Sequence, residues 1–152
     1  AQIFMQKGLK CPFNYNFVCK RYLLCCIIIL EVIMDCIFCK IGKGDIPSYT
    51  LYEDDIVKVM LDINPKADGH ILVIPKNHTL DIDTIDNDTL IHIIKVARKM
   101  KKLLEEKLHV KGVMLVQNNG ELEEVKHFHL HLIPPFNSNT RDIKEVYEIL
   151  NG

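Results

Sequence analysis

Cysteine is absent after residue 39 of this 152-residue chain, and Cys11, Cys19, Cys25, Cys26, Cys36 and Cys39 all fall before that point. A disulfide framework spreads its bridges across a fold, so this distribution argues against a secreted, disulfide-stapled domain and for a reducing, cytoplasmic setting. Glycine and proline, at 7 and 6 residues, are too scarce for a collagen-like chain, and no internal repeat or low-complexity tract occurs. Neither sign of charge dominates: the formal net charge is −1, and the chain beyond residue 33 is itself net acidic. That excludes a general DNA- or RNA-binding surface built on phosphate neutralisation. The longest apolar run, Tyr22 to Leu30, is too short for a comfortable membrane span. What remains is the balance of one ordinary globular domain, 48% hydrophobic and 26% charged.

Residues 1–33 do not read like the beginning of that domain. Lys20-Arg21 ahead of Tyr22–Leu30 has the form of a basic n-region and a short apolar h-region, but Glu31 ends the run and no small-residue cleavage pattern follows. A signal or anchor segment, an added helix or strand, and sequence upstream of a natural start at Met34 all compete, and Met34-Asp35, directly before a domain-opening motif, favours the last. The domain is therefore expected at 34–152, with 1–33 an extension given no function.

From Cys36 the chain is punctuated. Gly42, Gly44 and Pro47 mark a turn, and Thr50-Leu51-Tyr52 and Ile56–Leu61 read as an antiparallel hairpin around Glu53-Asp54-Asp55. His70–Pro75 reads as a strand buried on both faces. Asp86 and Asp88 announce the one long helix, with an apolar stripe of Leu90, Ile93, Ile94, Ala97, Met100, Leu104 and Leu108; its lysines form a solvated face. Val113–Val116 follows as a strand, and Asp142–Leu150 as a short terminal helix. Five strands with one long helix between them predict an α+β domain with an antiparallel five-stranded sheet. A half-open sheet of this size is expected to pair with a second copy, giving a homodimer.

The remaining strand, His127-Phe128-His129-Leu130-His131-Leu132-Ile133, carries histidines at strict period two. Alternation sends Phe128, Leu130 and Leu132 to a core and lines the imidazoles up on the opposite face, a row of titratable nitrogens suited to catalysis or to a metal. One imidazole can attack phosphorus and hold the transferred group as a phosphoramidate; a second can protonate the leaving group; an amide such as Asn118 can stabilise the oxygens in flight. Cys36-x-x-Cys39 offers two thiolates at a zinc-ligand spacing, against a redox pair or two simply buried cysteines.

The seven residues His127–Ile133 resemble the His-φ-His-φ-His-φ-φ signature of the histidine triad superfamily, in its Hint-like branch. Ile37–Ile41, Gly44–Ser48, Tyr52–Asp55, Leu61–Pro65, Gly69–Lys76 and Asn118–Gly120 match family blocks in family order. The resemblance implies a HIT-like fold and hydrolysis of a purine nucleoside monophosphate from a phosphoramidate or dinucleoside polyphosphate. It makes His129 the nucleophile, with His131 contacting phosphate and assisting departure. Asp62 would bind the ribose, Ile63 wall the base, Asn118 touch phosphate, and His70 buttress the triad. It also implies a closed structural zinc site of Cys36, Cys39, His78 and His127, the first triad histidine thus serving the metal. No organic cofactor is implied.

The loop before the triad departs from the family. Where relatives carry Gly-Gln, this chain reads Gly120-Glu121-Leu122-Glu123-Glu124-Val125. Either these carboxylates point outward, or the preferred substrate differs. A nucleotide-binding or regulatory module with weak residual activity is the alternative this loop suggests, and a zinc-storing or redox protein is a third reading.

Overall fold

The computed structural model describes residues 36–136 and 141–152. The expectations on residues 1–33 and on a start at Met34 lie outside the described residues.

Helix α1 (Ile37–Lys43) was not foreseen, because only two turns separate Cys36 from the glycines. Gly44, at φ 85°, closes it by sending its N–H to the Ile41 carbonyl, a left-handed cap that suits glycine. Strands β1 (Thr50–Glu53) and β2 (Val57–Leu61) form the expected hairpin, and β3 (Ile71–Pro75) follows antiparallel to β2. Helix α2 (Asn87–Leu108) starts at Asp86, whose carboxylate accepts from the Thr89 N–H. Strands β4 (Met114–Val116) and β5 (Leu130–Ile133) and helix α3 (Ile143–Asn151) complete the domain. The sheet order is β1-β2-β3-β5-β4, antiparallel throughout, as the strand pattern predicted.

Period-two alternation sorts the sheet's side chains onto two faces. Val57, Val59, Leu61, Ile71, Val73, Leu130 and Leu132 meet the stripe Ile93, Val96, Ala97, Met100 and Leu104 of α2 and Val146 and Leu150 of α3, all buried. The opposite face carries Met60, Leu72 and Ile74, covered by Phe38 and Ile41 of α1. Ile94 departs from the expected stripe: it is 41% exposed, while Val96 is 1% exposed. Gly69, at φ 81°, lies where α2 passes closest, and a Cβ there would collide with Leu104 and Leu108.

The histidine segment is shorter as a paired strand than the alternation suggested. Pairing with β3 runs from Val73↔Leu130 to Ile71↔Leu132 and stops there. Ahead of it the Phe128 N–H turns to the Thr79 carbonyl, 2.6 Å away, and the His127 N–H to Val125 O at 2.7 Å. The side-chain alternation nonetheless holds: Phe128, Leu130 and Leu132 are buried in the helix-side core, and the histidines lie on the α1 side.

Candidate active site and metal-ligand cluster

Register places His131 beside Leu72, so β5 and the mouth of β3 share one face, and His70 stands next to His131 with ring centroids 5.1 Å apart. The hydrogen bonds around these rings fix where their protons sit. A backbone N–H, that of Lys66, donates to His70 Nδ1 at 3.2 Å, so neutral His70 carries its proton on Nε2. That Nε2 lies 3.0 Å from His131 Nδ1, which must then accept and leave His131 with its proton on Nε2. Burial is the first cause that holds both rings neutral: it pushes His70 down and His131 down to about 4. Asp62 Oδ2, 3.4 Å from His70 Nδ1, pulls weakly the other way.

His129 has the opposite arrangement. Its Nδ1 is 2.7 Å from the His127 carbonyl, which can only accept, so Nδ1 carries the proton and Nε2 keeps the lone pair. The side chain is 5% exposed, wedged between Phe38 at 5.1 Å and His131 at 4.8 Å between centroids. Two adjacent imidazoles thus offer one bare nitrogen and one N–H.

Both rings line a cavity of about 550 Å³, a size suited to a small organic ligand. Asp62 and Ile63 line it too; Asp62 also caps its own turn through the Asn64 N–H at 2.9 Å, and Ile63 is 81% exposed at the rim. Phe38, Ile41 and Ile46 supply an apolar wall that the sequence reading missed; the three-residue helical spacing of Phe38 and Ile41 was the available signal. His70 stands behind His131, outside the lining. Asn118 is not on the cavity wall; its carbonyl accepts from Gln117 Nε2, and neighbouring Asn119 Oδ1 accepts from the Ile82 N–H at 3.1 Å. In the acidic loop, Glu124 lines the cavity, whereas Glu123 is turned inward at 5% exposure, so of the two alternatives the sequence left open, outward-pointing carboxylates do not hold for Glu123.

His127, fully buried, belongs to a second cluster. Its Nε2 is 2.9 Å from the Pro75 carbonyl and must donate, so Nδ1 presents a lone pair to Cys36 Sγ at 3.4 Å and Cys39 Sγ at 3.5 Å. Cys39 Sγ is 3.2 Å from His78 Nδ1, and the four ligand atoms lie within 4.8 Å of one another. Tetrahedral zinc at ordinary bond lengths separates sulfur from nitrogen by about 3.6 Å, so the donor set fits that ion. Burial pushes Cys39 up to about 11, His127 down to about 4 and His78 down as well. The imidazoles are thus in ligating form, and a cation would draw the proton from the thiol.

The HIT domain profile matches residues 43–138. This chain belongs to the HIT family. It is 42% identical over 111 residues to an uncharacterized HIT-like protein of Methanocaldococcus jannaschii, covering 72% of this chain and 85% of that protein. It is 42% identical over 105 residues to the adenosine 5'-monophosphoramidase HNT1 of Candida albicans, covering 65% and 69% of the two chains. Among HIT structures, that of a zinc-bound histidine triad family protein from Mycobacterium smegmatis superposes with a TM-score of 0.72 at 33% identity. The match covers 78% of this chain and 92% of that one.

Proposed function

We propose that the chain is a nucleotidyl hydrolase that releases a purine nucleoside monophosphate from phosphoramidate or dinucleoside polyphosphate substrates through a covalent intermediate on His129. The observation that carries this reading is the fixed pair of tautomers: His129 bares Nε2, while His131 presents an N–H from the same cavity wall. His129 Nε2 attacks the α-phosphorus as the bond to the leaving group breaks; His131 Nε2–H donates a hydrogen bond to the leaving nitrogen or oxygen, which takes its proton from water. The hydroxide so formed attacks phosphorus, the P–N bond to His129 breaks, and the nucleoside monophosphate leaves with His129 neutral again. Asp62 accepts from the ribose hydroxyls, and Ile63 and the Phe38–Ile41 wall hold the base; Asn118, off the cavity wall, is given no contact with phosphate. The similarity to adenosine 5'-monophosphoramidases supports the substrate class. Replacing His129 by Asn should cut turnover of an adenosine phosphoramidate by about 10⁴-fold or more while leaving adenosine monophosphate binding nearly intact. Unchanged turnover sinks the reading; wild-type binding without turnover points instead to a nucleotide-binding module.

The second cluster we assign to structural zinc held by Cys36, Cys39, His78 and His127. Four protein ligands leave no open position, so the ion clips α1 and the loop after β3 to the segment leading into β5. Elemental analysis should find about one zinc per chain, lost in Cys36→Ser together with a drop in melting temperature. Among the described residues Cys36 and Cys39 form no disulfide, which accords with a cytoplasmic setting. A homodimer accords with the open edge at β4, where Met114 and Leu115 are 45% and 47% exposed. Sedimentation at micromolar concentration tests it. Among the described residues no helix is long and apolar enough to cross a membrane.

A further inference from the structure

His127 faces two sites at once. Its side chain, fully buried, presents Nδ1 to Cys36 Sγ and Cys39 Sγ at 3.4 and 3.5 Å, and its Nε2–H is held from the other side by the Pro75 carbonyl at 2.9 Å. Its backbone carbonyl, 2.7 Å from His129 Nδ1, is the group that keeps the proton there and leaves Nε2 bare. Strand β5 begins only at Leu130, so the peptides of His127 and Phe128 lie outside the sheet ladder. Their N–H groups go to Val125 O at 2.7 Å and Thr79 O at 2.6 Å. Thr79 directly follows His78, whose Nδ1 is 3.2 Å from Cys39 Sγ, so the second of these ties is itself anchored in the cluster. Phe38, between the two cysteines in α1, touches both histidines, with ring centroids 5.8 Å from His127 and 5.1 Å from His129.

Two rotatable bonds join the His127 ring to its backbone, so pinning both ring nitrogens leaves the His127 peptide little freedom. We propose that Cys36, Cys39 and His78 are positioning residues for the chemistry of His129: by holding the His127 ring and the Thr79 carbonyl they aim the His127 carbonyl at His129 Nδ1, so that filling this donor set with a cation sets the tautomer of the nucleophile. The assignment rests on the hydrolase and zinc readings above and goes beyond a structural clip. A thiol S–H is a weak donor and ties His127 Nδ1 only loosely, whereas ligation to a shared cation fixes the ring's orientation. Once that tie loosens, His129 Nδ1 loses its fixed acceptor. The ring can then carry its proton on Nε2, the form that cannot attack phosphorus.

The test compares zinc-loaded wild type, the same protein stripped by a chelator, the stripped protein reloaded with zinc, and the double variant Cys36→Ala/Cys39→Ala. Cys36→Ser, a milder change, serves where the double variant does not fold, and Asp54→Ala is the control that loses stability away from the cluster. Histidine ¹⁵N spectra at one neutral pH read the tautomer without turnover. Turnover of an adenosine phosphoramidate at saturating concentration, scaled to the folded fraction, reads its consequence. Loaded wild type and Asp54→Ala are expected to show His129 protonated on Nδ1 alone, with equal kcat. Stripping the ion or removing the thiols should add the Nε2-protonated form and lower kcat about 10–100-fold, as loss of a ligand-orienting partner does. Reloading should restore both readouts in wild type and neither in the double variant. A His129 spectrum and a kcat that stay unchanged while only the melting temperature falls overturn the assignment, and so does an equal loss in Asp54→Ala. Should wild type hold no metal, the zinc reading fails separately, and the double variant against wild type decides on the same two readouts. Should wild type lack turnover, the hydrolase reading fails separately and the spectra decide alone.

Discussion

His70 lies outside the cavity lining, yet it selects which nitrogen of His131 carries the proton. Truncating it leaves His131 Nδ1 without its donor, and the ring is then free to take the other tautomer, with no N–H aimed at the leaving group. His70→Ala should lower kcat about 10–100-fold with KM nearly unchanged, because the residue acts on the transition state and not on nucleotide binding. Steady-state kinetics that showed the loss in KM instead would place His70 in substrate contact. That His129 and His131 share one face was legible in the sequence, since period two needs only a strand to become a row. The tautomers were not, because they depend on the Lys66 and His127 backbone groups, whose positions follow from turns rather than from residue type. The inward turn of Glu123 was equally illegible: a glutamate in a loop reads as solvated until burial is seen.

At the scale of elements, the β1–β2 turn is held by one carboxylate. Asp54 Oδ1 accepts from the Ile56 and Val57 N–H groups at 2.9 and 2.8 Å, and Oδ2 meets the Tyr52 hydroxyl at 2.8 Å and His92 Nε2 of α2 at 2.7 Å. Despite partial burial, which opposes it, these donors hold the Asp54 carboxyl well below its ordinary value. Asp54→Ala should destabilise the domain by about 2 kcal/mol in urea unfolding, most of it through the turn's backbone donors. A double-mutant cycle with His92→Ala should show coupling of at least about 0.5 kcal/mol; additive losses would mean the hairpin is not tied to α2. The acidic turn itself was readable from Glu53-Asp54-Asp55 between two apolar runs. Its tie to a helix 38 residues away was not, because nothing local in the sequence records which face of α2 meets the hairpin. Helix α1 escaped notice for a related reason: its seven residues are stabilised by packing Phe38 and Ile41 on Met60, Leu72 and Ile74, a tertiary contact rather than a propensity.

Across the whole molecule, the α1-side face concentrates neutral histidines in a way that ties stability to pH. His127 and His131 are each held at about 4 against an ordinary 6.5, with burial the first cause in both, and burial lowers His70 and His78 in the same direction. The sign follows from the proton count: below the ordinary histidine value the unfolded chain takes up protons that the fold refuses, so stability is present above pH 6.5 and is lost as pH falls toward 4. A shift of this size corresponds to about 3 kcal/mol per ring, a large share of a small domain's margin. The urea midpoint measured with a metal chelator present should therefore drop steeply between neutral pH and the acid end of that window. His131→Asn should flatten part of the drop, because it removes one of the two most strongly shifted rings while leaving the Cys36–Cys39 cluster intact. A midpoint constant across the window would show that these imidazoles are solvated in solution. The neutral tautomers on which the proposed chemistry depends would then lose their structural basis.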